Sequence, residues 1–238
     1  MIINIHKSTD RGSAEYGWLK ARYSFSFANY YDPLRERFGL LRVLNDDIID
    51  GGGGFDTHPH NNMEIITIPL RGALEHRDSM GHTSVIKRNE IQYMSAGSGI
   101  MHSEHNSSDS ESLHLLQIWI FPDIRNTKPE YSQINLEGKR KQNIIQTIVS
   151  PEGGTDILRI KQDAWLSLLA GDSGSTHKYK VNKQGNGIFI FVISGAAETG
   201  NFRANQRDSM EITEAPEITF TTCEESEILI IEVPPENG

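Results

Sequence analysis

The chain has 238 residues, 37% apolar and 23% charged, enough for one large β domain or two domains of about 100 to 150 residues, and too apolar to be disordered. Its 23 Lys and Arg stand against 32 Asp and Glu, and the net charge of −9 argues against direct binding to nucleic acid or to an anionic membrane surface. Cys223 is the single cysteine, which excludes an internal disulfide and a thiolate-rich metal site, so any metal must sit on nitrogen and oxygen. In chain order, the start MIINIHKSTDRG lacks the apolar stretch and cleavage site of a signal peptide. No apolar run approaches the ~18 residues of a membrane span, and a cytoplasmic protein is expected. YSFSFANYYDP, residues 23–33, follows; Phe25 and Phe27 at i and i+2 read as one core face of a strand, or as ring surface for a flat ligand.

From there, short runs rich in Ile, Val, Leu, Phe and Tyr recur between Gly, Pro, Asn and Asp clusters. They are FGLLRVLND (38–46), MEIITIPL (63–70), EIQYMSA (90–96), LHLLQIWIFP (113–122), GIFIFVISG (187–195), EITFTT (217–222) and SEILIIEVP (226–234). Helix signals are scarce, so the pattern predicts an all-β sandwich or barrel, with sharp turns at Gly72 and in DSMGH. The polar segment 126–146, with Pro129 and Gly138, reads as a crossover or linker. A boundary there gives domains 1–125 and 126–238. Three phrases recur in order across it: LRGALE (70–75) with ISGAAE (193–198), NEIQYMSA (89–96) with DSMEITEA (208–215), and LLQIWIFP (115–122) with ILIIEVPP (228–235). The repeat predicts two similar barrels facing each other.

Chemistry concentrates in the first half, where seven of the nine histidines lie between His58 and His114. In a strand, side chains at i and i+2 share a face, so His58 and His60 in THPHNN present two imidazoles to one point, and Pro59 between them favours extended backbone. In SAGSGIMHSEHN, residues 95–106, His102 and Glu104 stand two apart after a Gly-rich turn. If the two segments neighbour each other in a barrel, they offer three imidazoles and a carboxylate, a set suited to a divalent first-row metal with open coordination positions. Zinc, iron, manganese, nickel and copper all accept such ligands, whereas calcium and magnesium do not suit them. His105 is expected on the opposite face. His76, His82 and His114 read as turn or surface residues. Glu64 is either a further ligand or, preferably, an acceptor that orients an imidazole.

These residues resemble the cupin superfamily and, within it, the pirin family of bicupins. Gly52, His58, His60, Glu64 and Gly72 match the first cupin motif, and Gly99, His102 and Asn106 match the second, in which Gly97 replaces the usual Pro and Ile91 the usual Gly. HPH, SAGSGIMHSE and YSFSFANYYDP carry the pirin-like character. The resemblance implies an all-β bicupin in which His58, His60, His102 and Glu104 bind one metal, usually iron, in the N-terminal cupin. The C-terminal half has no His-x-His and only His177, so a structural role and no second metal is expected there.

The resemblance further implies a quercetin 2,3-dioxygenase-like activity, in which a flavonol ring is opened by dioxygen with release of carbon monoxide. Glu104 is the expected base for the flavonol 3-hydroxyl. The competing expectation is a metal-binding regulatory or redox-sensing protein that acts through protein partners. A third is a cupin isomerase or decarboxylase acting on a sugar or small acid without dioxygen. A monomer is the default expectation.

Overall fold

The structure, a computed structural model describing residues 1–236, contains 22 β-strands, and a 3₁₀ turn at Ser8–Asp10 is the one helical element among the described residues. No helix among them is long and apolar enough to cross a membrane. The strands form four sheets, two of seven strands and two of four. In the first large sheet the order is Glu130–Asn135, Glu90–Ser95, Glu64–Arg71, Leu113–Ile120, Leu41–Ile49, Leu19–Tyr23, Gly12–Glu15. It is covered by a small sheet ordered Gly54–His60, Ile100–Asn106, Ala73–Asp78, Thr83–Lys87. The second half repeats this plan. Its large sheet runs Ile2–His6, Ser209–Thr213, Gly187–Ser194, Ser226–Val233, Trp165–Gly171, Gln146–Ser150, Leu158–Arg159, and its small sheet runs Thr176–Lys180, Glu217–Thr222, Ala196–Thr199, Phe202–Asn205.

Packing explains why the most apolar runs are the central ones. The two large sheets face each other across a core in which Phe25, Leu44, Ile66 and Ile118 meet Leu166, Leu168, Phe189 and Phe191. Each large sheet also packs its other face on its own small sheet, around Leu19, Ile49, Leu74 and Ile86 in the first half and Leu169, Ile190, Phe220 and Ile230 in the second. A strand covered on both faces needs apolar side chains on both, and Glu64–Arg71 and Gly187–Ser194 are accordingly buried almost throughout. The result is the expected pair of facing barrels. The three recurring phrases fall on equivalent strands of the two halves, and in each the chain passes from the large to the small sheet at a glycine, Gly72 (φ 78°) and Gly195 (φ 79°), in a left-handed conformation that favours glycine.

Two edge strands cross between the halves. Ile2–His6 pairs with Ser209–Thr213 in the second large sheet, and Glu130–Asn135 pairs with Glu90–Ser95 in the first. The segment 126–146 is therefore a crossover that carries a strand, and not a bare linker. The division into 1–125 and 126–238 stands as a proposal, with each unit's sheet completed by a strand from the other.

Candidate metal centre

The two histidine motifs lie on neighbouring antiparallel strands of the first small sheet. His102 is directly opposite His58 and Ile100 opposite His60; a register shift follows, after which Glu104 is opposite Phe55. Gly54–His60 is the edge strand, where Pro59 can sit without costing the ladder a donor. The turn before the second motif depends on Gly97. Its φ is +48°, and a Cβ there would stand 2.2 Å from the Thr127 carbonyl oxygen. A proline, fixed near φ −65°, cannot adopt that conformation, so the departure from the usual cupin motif matches the backbone.

The imidazoles converge. Ring centroids are 4.4 Å apart for His58 and His102, 4.8 Å for His60 and His102, and 4.9 Å for His58 and His60. Each of the three offers a nitrogen within 4.8 Å of the others. A second, overlapping group consists of His76, His102 and Glu104, all buried. His58 Nδ1 donates to the Asp56 carbonyl at 2.7 Å, which leaves Nε2 as its free donor atom. His102 Nε2 and Glu104 Oε1 are buried with no hydrogen-bond partner. Leaving such an atom unpaired costs about 1 to 3 kcal/mol, and a donor set of imidazoles and a carboxylate fits a divalent metal; the three imidazoles come together as one group, whereas Glu104 is grouped with His102 and His76 and not with His58 and His60.

Electrostatics keep the nitrogens in their ligating form. Burial, with the neighbouring His102 and His58, lowers the His60 pKa to about 4. Burial, with His58 and His76, lowers that of His102 to about 3. Both rings are neutral at physiological pH. The other Glu104 oxygen, Oε2, accepts from Gln117 Nε2 at 2.7 Å, and Trp119 Nε1 donates to Gln117 Oε1 at 3.0 Å. Trp119 also meets His60 edge-on at 4.8 Å and Phe27 at 5.3 Å, and Phe55 lies 6.4 Å from His58. His102 and Glu104 thus form a buried floor, while His58 and His60 are only half-buried beneath an aromatic wall.

Several other residues depart from expectation. His76 is fully buried, on the strand Ala73–Asp78 opposite Glu104, and is not a turn or surface residue. Glu64 touches no imidazole. It accepts from Tyr93 Oη, from Ser95 Oγ at 2.7 Å and from the Lys161 backbone N–H at 3.0 Å, on the face turned toward the second half. His114 lies in a strand and donates to Asp46 at 2.6 Å. His82 follows a turn and His105 lies 3.5 Å from Asp56, both with partly exposed side chains. Phe25 and Phe27 do not share a face: Phe25 enters the core between the halves and Phe27 packs by Trp119. Sequence reasoning missed His76 with Asp78, although they repeat the i, i+2 spacing of the other two pairs. It also missed Asp47, whose pKa is pushed up to about 8 by burial and by the nearby Asp46 and Glu104.

The second half fills the corresponding positions differently. Leu74 is opposite Asn106 and Ala197 opposite Thr222, which places Phe220 where Glu104 stands and Ile218 where His102 stands. Tyr179, opposite Ile218, takes the place of His58.

Fold and site together define a bicupin with a candidate metal centre in its first barrel. Residues 5–120 match the family model described as Pirin, and residues 147–233 match that described as Quercetinase C-terminal cupin domain. The chain is 39% identical over 236 residues to a quercetin 2,3-dioxygenase of Escherichia coli (strain K12), covering 98% of this chain and 100% of that protein. It is 36% identical over 222 residues to a pirin-like protein of Caulobacter vibrioides, covering 93% and 95%. The crystal structure of the bacterial pirin YhhW of Escherichia coli in complex with nickel(II) superposes with a TM-score of 0.93 at 38% identity, covering 98% of this chain and 100% of that one. The chain belongs to the pirin family.

Proposed function

We propose that this protein is a metal-dependent quercetin 2,3-dioxygenase-like enzyme, cleaving a flavonol ring with dioxygen and releasing carbon monoxide. His58, His60, His102 and Glu104 hold one divalent ion, iron by preference, with manganese, nickel, copper or zinc as alternatives. The observation that carries the reading is the pair of buried, unpartnered atoms, His102 Nε2 and Glu104 Oε1, beside two half-buried imidazoles. The names of the Escherichia coli relative and of the C-terminal family model support the choice of substrate class.

When bound, a divalent metal supplies Lewis acidity that lowers the pKa of a coordinated hydroxyl. The chain's own residues do the rest. Glu104 loosens its hold as a ligand and takes the proton of the flavonol 3-hydroxyl on Oε1, a general-base role worth about 10² to 10⁴ in rate. Gln117, itself held by Trp119, keeps its amide on Oε2 and so fixes the carboxylate for that transfer. Trp119, Phe27 and Phe55 offer flat apolar surface to the rings of the substrate.

The test is turnover of quercetin by protein of measured metal content, under air and under nitrogen. Oxygen-dependent loss of flavonol absorbance with carbon monoxide release is the expected result. No turnover by fully loaded protein would overturn it in favour of a metal-binding role exercised through a protein partner.

A further inference from the structure

The residues behind His102 form a chain of their own. Asp78 has a side chain with no exposed surface, and its Oδ1 accepts the backbone N–H of Met80 at 2.9 Å and of His82 at 3.1 Å. Its Oδ2 accepts from His82 Nδ1 at 2.9 Å and from His76 Nε2 at 3.3 Å. His76 Nδ1 in turn lies 3.5 Å from His102 Nδ1. Tyr131, on the strand that crosses over after the first half, stacks on the rings of both His76 (5.0 Å) and His82 (4.9 Å) and holds the arrangement in place.

Donor and acceptor rules fix the protons along this chain. An ionised carboxylate only accepts, so the hydrogen between His76 and Asp78 sits on His76 Nε2. With Nε2 as its donor to Asp78, His76 accepts through Nδ1, and the hydrogen between the two rings sits on His102 Nδ1. That leaves the unpartnered His102 Nε2 as a lone pair available to a metal.

We infer that Asp78 and His76 are positioning residues that lock His102 in its ligating tautomer. The inference rests on the metal-site reading above. It gives His76 a role behind a ligand rather than as one, although His76 is itself a member of the second group. The logic is that of a carboxylate–histidine pair whose outer partner orients the inner one, where losing the partner costs about 10- to 100-fold in metal affinity.

The informative variant is Asp78→Asn. Its Oδ1 can still take the two backbone N–H groups, but the amide now donates toward His76, so His76 carries its hydrogen on Nδ1 and forces that of His102 onto Nε2. In metal-free protein labelled with [¹⁵N]histidine, two-bond ¹H–¹⁵N correlation reads the tautomer of each ring. Competition with a chromogenic chelator reads nickel(II) affinity.

The expected result is His102 protonated on Nδ1 in the natural chain and on Nε2 in Asp78→Asn, with nickel(II) affinity falling by about 10- to 100-fold. If Asp78→Asn does not fold, His76 decides. His76→Phe keeps a ring against Tyr131 but loses the acceptor, and should lose affinity equally, whereas His76→Gln restores an acceptor and should recover most of it. An Nε2-protonated His102 in the natural chain would overturn the inference, as would a tautomer and an affinity unmoved in Asp78→Asn. So would a His76→Gln as weak as His76→Phe, because the ring itself would then be the ligand. Proton placement is read without metal or substrate, so an absence of quercetin turnover leaves this result standing.

Discussion

His58 and His102 are direct cross-strand partners, with ring centroids 4.4 Å apart, and this pairing joins two motifs that are distant in the chain. His102 is also the one residue shared by both ligand groups. His102→Ala should therefore abolish metal retention and turnover together. Elemental analysis after desalting, beside the quercetin assay, checks this; an active variant without metal contradicts it.

Glu104→Gln preserves size and an acceptor for Gln117, but removes the charge that takes the substrate proton. The expected loss in kcat is about 10²- to 10⁴-fold. A variant with metal content and kcat both unchanged would remove Glu104 from the chemistry.

The metal-free protein should lose stability in mild acid. His60 and His102 ionise at about 4 and about 3 in the folded chain, against an ordinary value near 6.5. Their depressed values mean that the unfolded chain binds more protons. The stabilisation is complete above about pH 6.5 and is lost as pH falls through about 4 and then 3. Urea midpoints between pH 7 and pH 5 should fall, and should fall less in a His60→Gln, His102→Gln double variant. Equal slopes in the two proteins would contradict the assignment.

Asp47 works in the opposite direction. Its folded value of about 8 lies above the ordinary 3.8, so the folded chain binds the extra proton. Its contribution is whole below about pH 4 and is lost as pH rises toward 8. Asp47→Asn should be neutral near pH 4 and stabilising by about 1 to 3 kcal/mol near pH 9, roughly 2 to 10 °C in Tm. A thermal scan series from pH 4 to 9 checks the sign; a variant destabilised most at high pH refutes it.

The chain shows in its sequence whatever depends on local spacing. The strands buried on both faces announce themselves as apolar runs, and the two ligand motifs need only the alternation of a strand to bring His58 and His60, or His102 and Glu104, to one face. Glu64 was misplaced because that alternation does not continue from His60. The chain breaks at residues 61–63, with Asn62 at φ 49°, and Glu64 begins a strand in the other sheet with the opposite face toward the histidines. His76 was hidden because it stands just before DSMGH, which reads as turn chemistry, yet the strand Ala73–Asp78 runs through it into that segment. The exchanged edges IINIH and EYSQIN were invisible for a different reason: their partners are distant in sequence.

That exchange has a measurable cost. Removing residues 1–7 takes the strand Ile2–His6 from the second large sheet, uncovers the edge Ser209–Thr213, and removes the ion pair of Lys7 with Asp208 at 3.0 Å. An uncovered edge is a template for intermolecular pairing. The truncated chain should melt several degrees lower and aggregate on heating, as followed by light scattering; an unchanged Tm would show that the strand contributes nothing.

The most direct measurement is a crystal structure of the nickel(II)- or manganese(II)-loaded protein, with the ion located by its anomalous scattering. One peak is expected, bonded to His58, His60, His102 and Glu104, about 2.0 to 2.3 Å from each donor atom. A peak held by His76, His102 and Glu104 alone, or none between the two motifs, would contradict that assignment.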